Sequence, residues 1–544
     1  MKKTLFLTFS LFLLWTLGAQ PLLGNAASLA RPRADFNGDG YADLVIGVPY
    51  EAITDQAGAG AVHVLHGAAS TGLGAAGSQL WYQSNDVLTD IAEAGDEFGY
   101  ALAIGDFNGD RYYDLAVGVH GESIGNPVIL QAGVVHILYG SATGVSAEGD
   151  QVWHQDREGI LDQAEADDRF GYSLAAGDFN GDGYADLAVG SFREDVGTAE
   201  VQNAGMVQVL YGSASGLRAD GNQMFYQGAF NLEDTAEVDD WFGITLAAGD
   251  FDHDGFSDLA AGVPFEDVDT QENAGAVQVL FGAATGLNAS RDQFLHQGLA
   301  DVEGEAIGGD RFGHALATGD SNGDGYCDLA VGIPYKNVAP GISDAGAVHL
   351  FHGADSGLDM SDDLMLNQNT PSAADDAEAN DWFGGSLAFS DFDGNGFADL
   401  AVGVDGEDIG DPLVTNAGAV HVFYSNTSKN ELWYQGKDGL AETTEANDRF
   451  GTSLAAGDFN ADGRIDLAVG VPLEDREGVS PLSDAGVVQV IYGSSTGLAV
   501  AGNQLWTQDS DDIGGAGEDN DRFGQVLAAV TIVRVKIYLP VIVR

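Results

Sequence analysis

Cysteine is nearly absent. Cys327 stands alone in 544 residues, so no intrachain disulfide can staple the fold. Basic side chains are scarce as well: 21 Lys and Arg stand against 84 Asp and Glu, a formal charge of −63. A surface of that sign repels nucleic acid and anionic membranes, so neither is expected as a partner. Proline is limited to 12 residues while glycine reaches 77, which suits short strands joined by tight turns rather than a disordered polymer. Long apolar runs are missing too. The longest, residues 5–17, follows Lys2 and Lys3 and precedes Gly24-Asn25-Ala26. It is too short to span a bilayer and reads as the core of a signal peptide over residues 1–27. The expected location is therefore outside the cell, secreted or at its surface, with no transmembrane segment after cleavage. No zinc-ligand spacing or phosphate loop occurs. No apolar pattern of helical period is sustained.

What the chain has in abundance is one nine-residue motif, present seven times with first residues 71, 72, 72, 70, 71 and 67 apart. Residues 178–186, DFNGDGYAD, are its clearest copy. Positions 1, 3, 5 and 9 carry side-chain oxygens in every copy. They are Asp35, Asn37, Asp39 and Asp43; Asp106, Asn108, Asp110 and Asp114; Asp178, Asn180, Asp182 and Asp186; Asp250, Asp252, Asp254 and Asp258. The remaining three sets are Asp320, Asn322, Asp324 and Asp328; Asp391, Asp393, Asn395 and Asp399; Asp458, Asn460, Asp462 and Asp466. A hard cation wants six to eight oxygens, and alternate residues of a tight loop deliver them, so up to seven Ca²⁺ are expected. A lone acidic turn would need no such regularity. The Asp250 loop, with four carboxylates, is expected to bind tightest. The Asp106 loop, with Arg111 where the turn favours glycine, is expected to bind weakest. Seven divalent ions would offset only a small part of the charge, so most of the acid is expected to serve solubility.

Around each motif lie four apolar runs of 4 to 8 residues, rich in Val, Leu, Phe and Tyr. In the third repeat they are SLAAG before the loop, DLAVG after it, then VQVLYG and QMFYQ. Runs of that length and composition are strands. Four per repeat make one propeller blade. The fold class is therefore all-β, a seven-bladed propeller of four-stranded antiparallel blades over residues 28–530. The first repeat lacks a Phe-Gly before its loop, and the last Phe-Gly, Phe523-Gly524, lacks a loop after it. A strand at residues 523–530 completing the first blade would close the ring.

Phe-Gly, the aspartate loop, Gly-Val-Pro (47–49, 262–264, 470–472) and Ala-Gly-Ala-Val (274–277, 417–420) recur in fixed order. This order resembles the FG-GAP repeat of the integrin α-subunit N-terminal propeller. The resemblance implies calcium in the hairpins between first and second strands, ligand contact on the opposite face, and an extracellular binding or cell-adhesion role. Integrin leg domains, membrane helix and cytoplasmic tail have no counterpart here. A free-standing, monomeric exported propeller with an extracellular protein or glycan ligand is therefore expected. The tail at residues 531–544 is a strap on the ring or a surface-retention signal.

Other residues invite sharper readings. His63, His136, His349 and His421 share one repeat position with Gln208, Gln278 and Gln489. Glutamine is no general base, so the position reads as structural. Asp96, Asp168, Asp240, Asp310, Asp381, Asp448 and Asp521 precede each Phe-Gly and read first as strand-entry turns; the sharper reading is a ring of carboxylates on one face. Lys336 replaces the Glu of Glu51, Glu122, Glu194, Glu266, Glu407 and Glu474; it reads first as a neutral surface change, and the sharper reading is a local orientation mark, with Tyr335, for a partner. Cys327 stands where Ala42, Ala185 and Ala398 do, as a small packed side chain. No catalytic residue can be chosen. The competing readings are a polysaccharide lyase, which some calcium-bearing propellers resemble, and a lectin using Trp81, Trp153, Trp433 and Trp506, which read first as packing.

Overall fold

The computed structural model describes residues 34–529 except 70, 85–87, 89, 198–200, 230, 231, 372, 411 and 477–480. The leader at 1–27 and the tail at 531–544 lie outside the described residues. Among the described residues twenty-eight strands form seven separate four-stranded antiparallel sheets, so the expected seven blades are present. Blade two is representative: Ala101–Gly105, Asp114–Val119, Val134–Tyr139 and Ser146–Trp153, each paired with the next.

Burial follows position in the blade. The second and third strands are covered on both faces by neighbouring blades, so DLAVGV and VVHILY are buried throughout. Such strands read as continuous apolar runs rather than alternations. The first strands are only partly buried, because one face lines the central channel, along which lie Leu102, Leu174, Leu246, Leu316, Leu387, Leu454 and Leu527. The ring closes as the sequence requires. Val526–Ala528 pairs with Leu44–Val48, Ile46 opposite Leu527, and the first blade is completed from the other end of the chain.

Two devices hold blade to blade. The phenylalanine of each Phe-Gly is fully buried between blades. Its backbone is approached so closely that a Cβ on Gly118 would lie 2.1 Å from Gly171 O, and one on Gly60 2.4 Å from Phe98 N. Only glycine permits that approach. At the rim, a glutamine of five outer strands, Gln79, Gln151, Gln223, Gln293 and Gln504, reaches the next blade: Gln79 Nε2 donates to Val145 O at 2.7 Å, and its Oε1 accepts from Val145 N at 2.8 Å. Gln504 makes the corresponding bond to Leu73 O across the closure.

Candidate functional site

Strand direction puts all seven acidic loops on one face of the ring: six join a first strand to a second, and the Asp35 loop leads into the second strand of the first blade, whose first strand comes from the other end of the chain. Their backbone is folded by their own side chains. In the first loop Asp35 accepts from Asp39 N and Gly40 N at 3.0 and 2.8 Å, and Asn37 Oδ1 accepts from Asp39 N at 2.9 Å. Positions 1, 3 and 5 are thereby drawn together. Carboxylate oxygens of Asp250, Asp252 and Asp254 lie within 4.8 Å of one another, as do those of Asp391, Asp393 and Asp399. The donor set is oxygen only, the set a hard cation requires.

Position 9 has a second duty that spacing alone does not reveal. Asp43 is fully buried; its Oδ2 accepts from Phe36 N at 2.9 Å and its Oδ1 from Gly67 N at 3.0 Å, which ties the hairpin to the end of the third strand. Asp114, Asp186, Asp258, Asp328, Asp399 and Asp466 do the same. Burial pushes Asp114 and Asp466 up to about 8, against the backbone hydrogen bonds that favour the charged form.

Two cationic side chains bear on the expected ranking of the loops. Arg111 adopts φ +79°, as its place in the turn demands. In the Asp250 loop the Arg291 guanidinium pairs with Asp252 Oδ2 and lies 4.3 Å from the centre of the Phe281 ring. Part of the negative charge on which the ranking rests is thus already neutralised.

The aspartates before Phe-Gly are more than exposed turns. All seven are at most 2% exposed. Each caps its turn: Asp240 Oδ2, for example, accepts from Glu237 N at 2.5 Å and Asp448 Oδ2 from Glu445 N at 2.7 Å. In six junctions between blades this aspartate faces the glutamate of the next blade. Glu122, Glu194, Glu266, Glu407, Glu474 and Glu51 are buried, each accepting from a glutamine Nε2 at 2.5 to 2.7 Å: Gln83, Gln155, Gln227, Gln368, Gln435 and Gln508 respectively. Burial first, and then the facing aspartate, raises Glu266 and Glu407 to about 9.

The fifth blade corrects an expectation. Lys336 is not a surface mark; it is 6% exposed and fills the same interior junction. Its Nζ stands 2.6 Å from Asp310 Oδ2, 3.0 Å from Gln297 Oε1 and 2.7 Å from Glu305 O. The glutamates it replaces are interior as well, so no exposed acidic ring exists there to be broken.

The face opposite the hairpins collects the loops between second and third strands and the connections between blades. Around the channel mouth runs a belt of rings. Tyr100 and His120 lie 4.2 Å apart, Tyr172 and Phe192 4.3 Å, Phe192 and Trp241 5.1 Å, and Trp241 and Phe265 4.2 Å. Arg311 continues it between Phe265 and Tyr335, at 4.6 and 4.4 Å from the ring centres. The residue before Phe-Gly has φ between 57° and 62° in every blade, though it is Glu97, Arg169, Trp241, Arg311, Trp382, Arg449 or Arg522. Bulky residues rarely adopt that conformation, and its repetition fixes where those side chains stand. The belt opens at blade six, where Gly385, Asp405 and Thr452 replace rings and a cavity of ≈ 300 Å³ is lined also by His314, Tyr335, Trp382 and Arg449. Arg449 Nη1 lies 3.6 Å from Asp405 Oδ2. Sequence reading missed this belt, because its members come from three repeat positions that differ in type from blade to blade.

The remaining candidates are structural. His63, His136, His349 and His421 are at most 1% exposed and pack 5.3 to 5.8 Å from the Phe-Gly rings of Phe523, Phe98, Phe312 and Phe383. Trp81, Trp153 and Trp433 are buried, so they are packing and not open stacking platforms. Cys327 is buried, and burial pushes its thiol up, away from reactivity.

Fold and site together define a seven-bladed propeller with acidic hairpins on one face and a ring-lined loop face on the other. The FG-GAP repeat model matches residues 34–65, 98–138, 170–210, 242–280, 312–351, 383–423 and 450–491, about half of the chain, which belongs to the FG-GAP repeat family. The chain is similar to integrin alpha-PS2 of Drosophila melanogaster, 32% identical over 247 residues, 44% of this chain and 15% of that protein. Integrin alpha-8 of Gallus gallus is 29% identical over 303 residues, 54% and 25% of the two chains. A phosphatidylinositol-glycan-specific phospholipase D of Mus musculus is 36% identical over 167 residues, 31% and 18%. These matches span a quarter or less of those relatives' length. Among solved structures, an exotype rhamnogalacturonan lyase covers 78% of this chain and 68% of its own, with 11% identity and TM-score 0.37. That score adds nothing to the fold already described.

Proposed function

We propose that this chain is a calcium-binding propeller that works outside the cell as a binding or cell-adhesion module, holding an extracellular protein or glycan on its loop face. The observation that carries the reading is the placement of exposed apolar side chains. Among the described residues, seven of the eight exposed large hydrophobics, Ile91, Val128, Leu130, Leu161, Val238, Ile307 and Leu413, sit in the loops opposite the hairpins. Apolar side chains gathered on one face of so acidic a molecule point to a contact surface, and variable loops on a rigid scaffold are where binding sites sit. The integrin relatives support an adhesive role. The oxygen-only hairpins support calcium, held by positions 1, 3, 5 and 9 of each loop; the ion would neutralise the clustered carboxylates and stiffen the turn.

In this reading residues 1–27 are a removed leader, 28–530 the propeller and 531–544 a strap or retention segment; the protein acts as a monomer and without catalysis. The test is a glycan-array and extracellular-protein capture screen in calcium, with the wild type and a Val128→Asp, Leu130→Asp variant. Loss of a captured ligand in the variant, with the melting temperature unchanged, supports the loop face. Loss only on altering surface residues beside the hairpins, with calcium still bound, places the contact on the other face and overturns the assignment.

A further inference from the structure

We infer that the six junctions between blades that pair a buried glutamate with a buried aspartate are a second ring of divalent-cation sites, of calcium type, and that Lys336 supplies the missing charge at the seventh. The seven junctions are repeats of one design, so the odd one shows what the others need. At the Lys336 junction, Gln297 Oε1 accepts from the ammonium while its Nε2 lies 3.1 Å from His349 Nε2. Both ends of that amide are satisfied.

At the other six junctions they are not. The glutamine, 0 to 2% exposed, turns its Nε2 to the glutamate, and its Oε1 has no hydrogen-bond partner among the described residues. The acceptor at the repeat position of His349 is unpartnered too at five of the six: Nε2 of His63 and His421, and Oε1 of Gln208, Gln278 and Gln489, whereas Nε2 of His136 lies 3.7 Å from Asp90 Oδ2. Buried polar atoms are rarely left in this way. Turning each amide end for end, a choice electron density seldom settles, satisfies both atoms at once. Nε2 then reaches the neighbouring acceptor and Oε1 joins the two carboxylates, as at the lysine junction. An amide oxygen beside two carboxylates requires a positive charge between them. The donors are all oxygen, and a divalent ion balances two carboxylates as the ammonium balances one.

A pair of acids sharing protons would also meet the turned oxygen, and burial favours it. The surrounding acids decide between the two. At the first junction Glu93 and Asp90 stand three and six residues before Asp96, and carboxylate oxygens of Glu93, Asp96 and Glu122 lie within 4.8 Å of one another. At the lysine junction the same two places are Ile307 and Gly304. The place six residues before is Gly515 at the Glu51 junction as well, but the place three before is Glu at all six glutamate junctions and Ile307 where the charge is covalently supplied; a proton-sharing pair would have no use for that Glu.

Crystals of the wild-type protein grown in calcium, measured at a wavelength where calcium scatters anomalously, give the direct test. The inference expects peaks at the glutamate junctions and none at Lys336. Filled hairpins with no peak at any glutamate junction overturn it in favour of shared protons and leave the hairpin reading intact; no peak at either kind of site overturns both. A peak beside Lys336 equal to the others also overturns it. In solution, the lysine junction is transplanted with Glu194→Lys, Asp162→Gly and Glu165→Ile. Equilibrium dialysis should then count one bound calcium fewer per folded chain than the wild type; an unchanged count contradicts the site.

Discussion

Lys336 Nζ and Asp310 Oδ2 stand 2.6 Å apart in the interior, the lysine on the second-to-third-strand loop of blade five and the aspartate on the connection leading into that blade. Both side chains are less than a tenth exposed, so the pair is a buried ion pair and not a surface one. Removing one partner of such a pair leaves an uncompensated charge, which costs about 3–5 kcal/mol. Lys336→Met is expected to lose that much in urea unfolding, and Lys336→Met with Asp310→Asn to recover most of it. Additive single effects in the double-mutant cycle would show that the two groups do not act together.

The hairpins carry a prediction about calcium. Clustered carboxylates repel when no cation is bound, and an ion that binds only the folded state stabilises by linkage. The melting temperature should therefore rise between excess chelator and millimolar calcium; equal values would argue against filled loops. Arg291 on Asp252 reduces the pull of the loop that has most carboxylates. Arg291→Ala should raise that loop's calcium affinity about three- to tenfold, as expected when a cation a few ångströms away in a partly solvated site is removed. Arg111→Gly should strengthen the Asp106 loop by relieving a left-handed residue that costs roughly 1–2 kcal/mol. Site-resolved occupancies at limiting calcium give both answers.

Acid should weaken the fold through its buried histidines. Burial lowers His63 from 6.5 to about 4. The unfolded chain therefore takes up a proton that the folded one refuses. The sign follows: the stability from this group is complete above pH 6.5 and is lost as pH falls toward 4, a total of roughly 3 kcal/mol. His63→Gln, which installs the residue found at Gln208 and Gln489, should lose about 2 kcal/mol less than the wild type between pH 7 and pH 5. Parallel pH profiles of denaturant stability would assign the acid limb to other groups.

Much of this architecture is legible in the sequence because each repeat obeys one local rule. The second and third strands are buried on both faces, so DLAVG and its partner read as apolar runs whatever the blade. The hairpin oxygens are legible because alternate residues of one loop must supply them. Lys336 is not legible in that way. Its partners Asp310 and Gln297 come from other segments, 26 and 39 residues back, and from sequence alone a charged residue in a loop reads as exposed. The belt of rings is hidden for a related reason: Tyr172, Phe192 and Trp241 occupy three different repeat positions and become neighbours only when blades stand side by side. The double role of Asp43 follows the same logic, since Gly67 N, which it binds, lies 24 residues away.

Ring closure rests on a short segment, and its removal should be severe. Val526–Ala528 supplies only three residues, but it covers the inner edge of Leu44–Val48, a strand buried along its whole length. Phe523, just before it, is fully buried and packs its ring 5.3 Å from His63. Phe523→Ala should cost about 3–5 kcal/mol, the usual loss for a buried phenylalanine. Ending the chain after Arg522 removes the ring and the strand together and uncovers unpaired N–H and C=O groups on an apolar edge, the kind that templates association. The shortened protein should melt lower and scatter light as aggregates at micromolar concentration. A peptide of residues 523–530 added in excess should restore a monodisperse, higher-melting species, because the edge accepts the strand whether or not it is covalently joined. A shortened chain that stays monodisperse and melts with the full chain would mean that the first blade stands on three strands, and that closure by the other end of the chain is not what holds the ring.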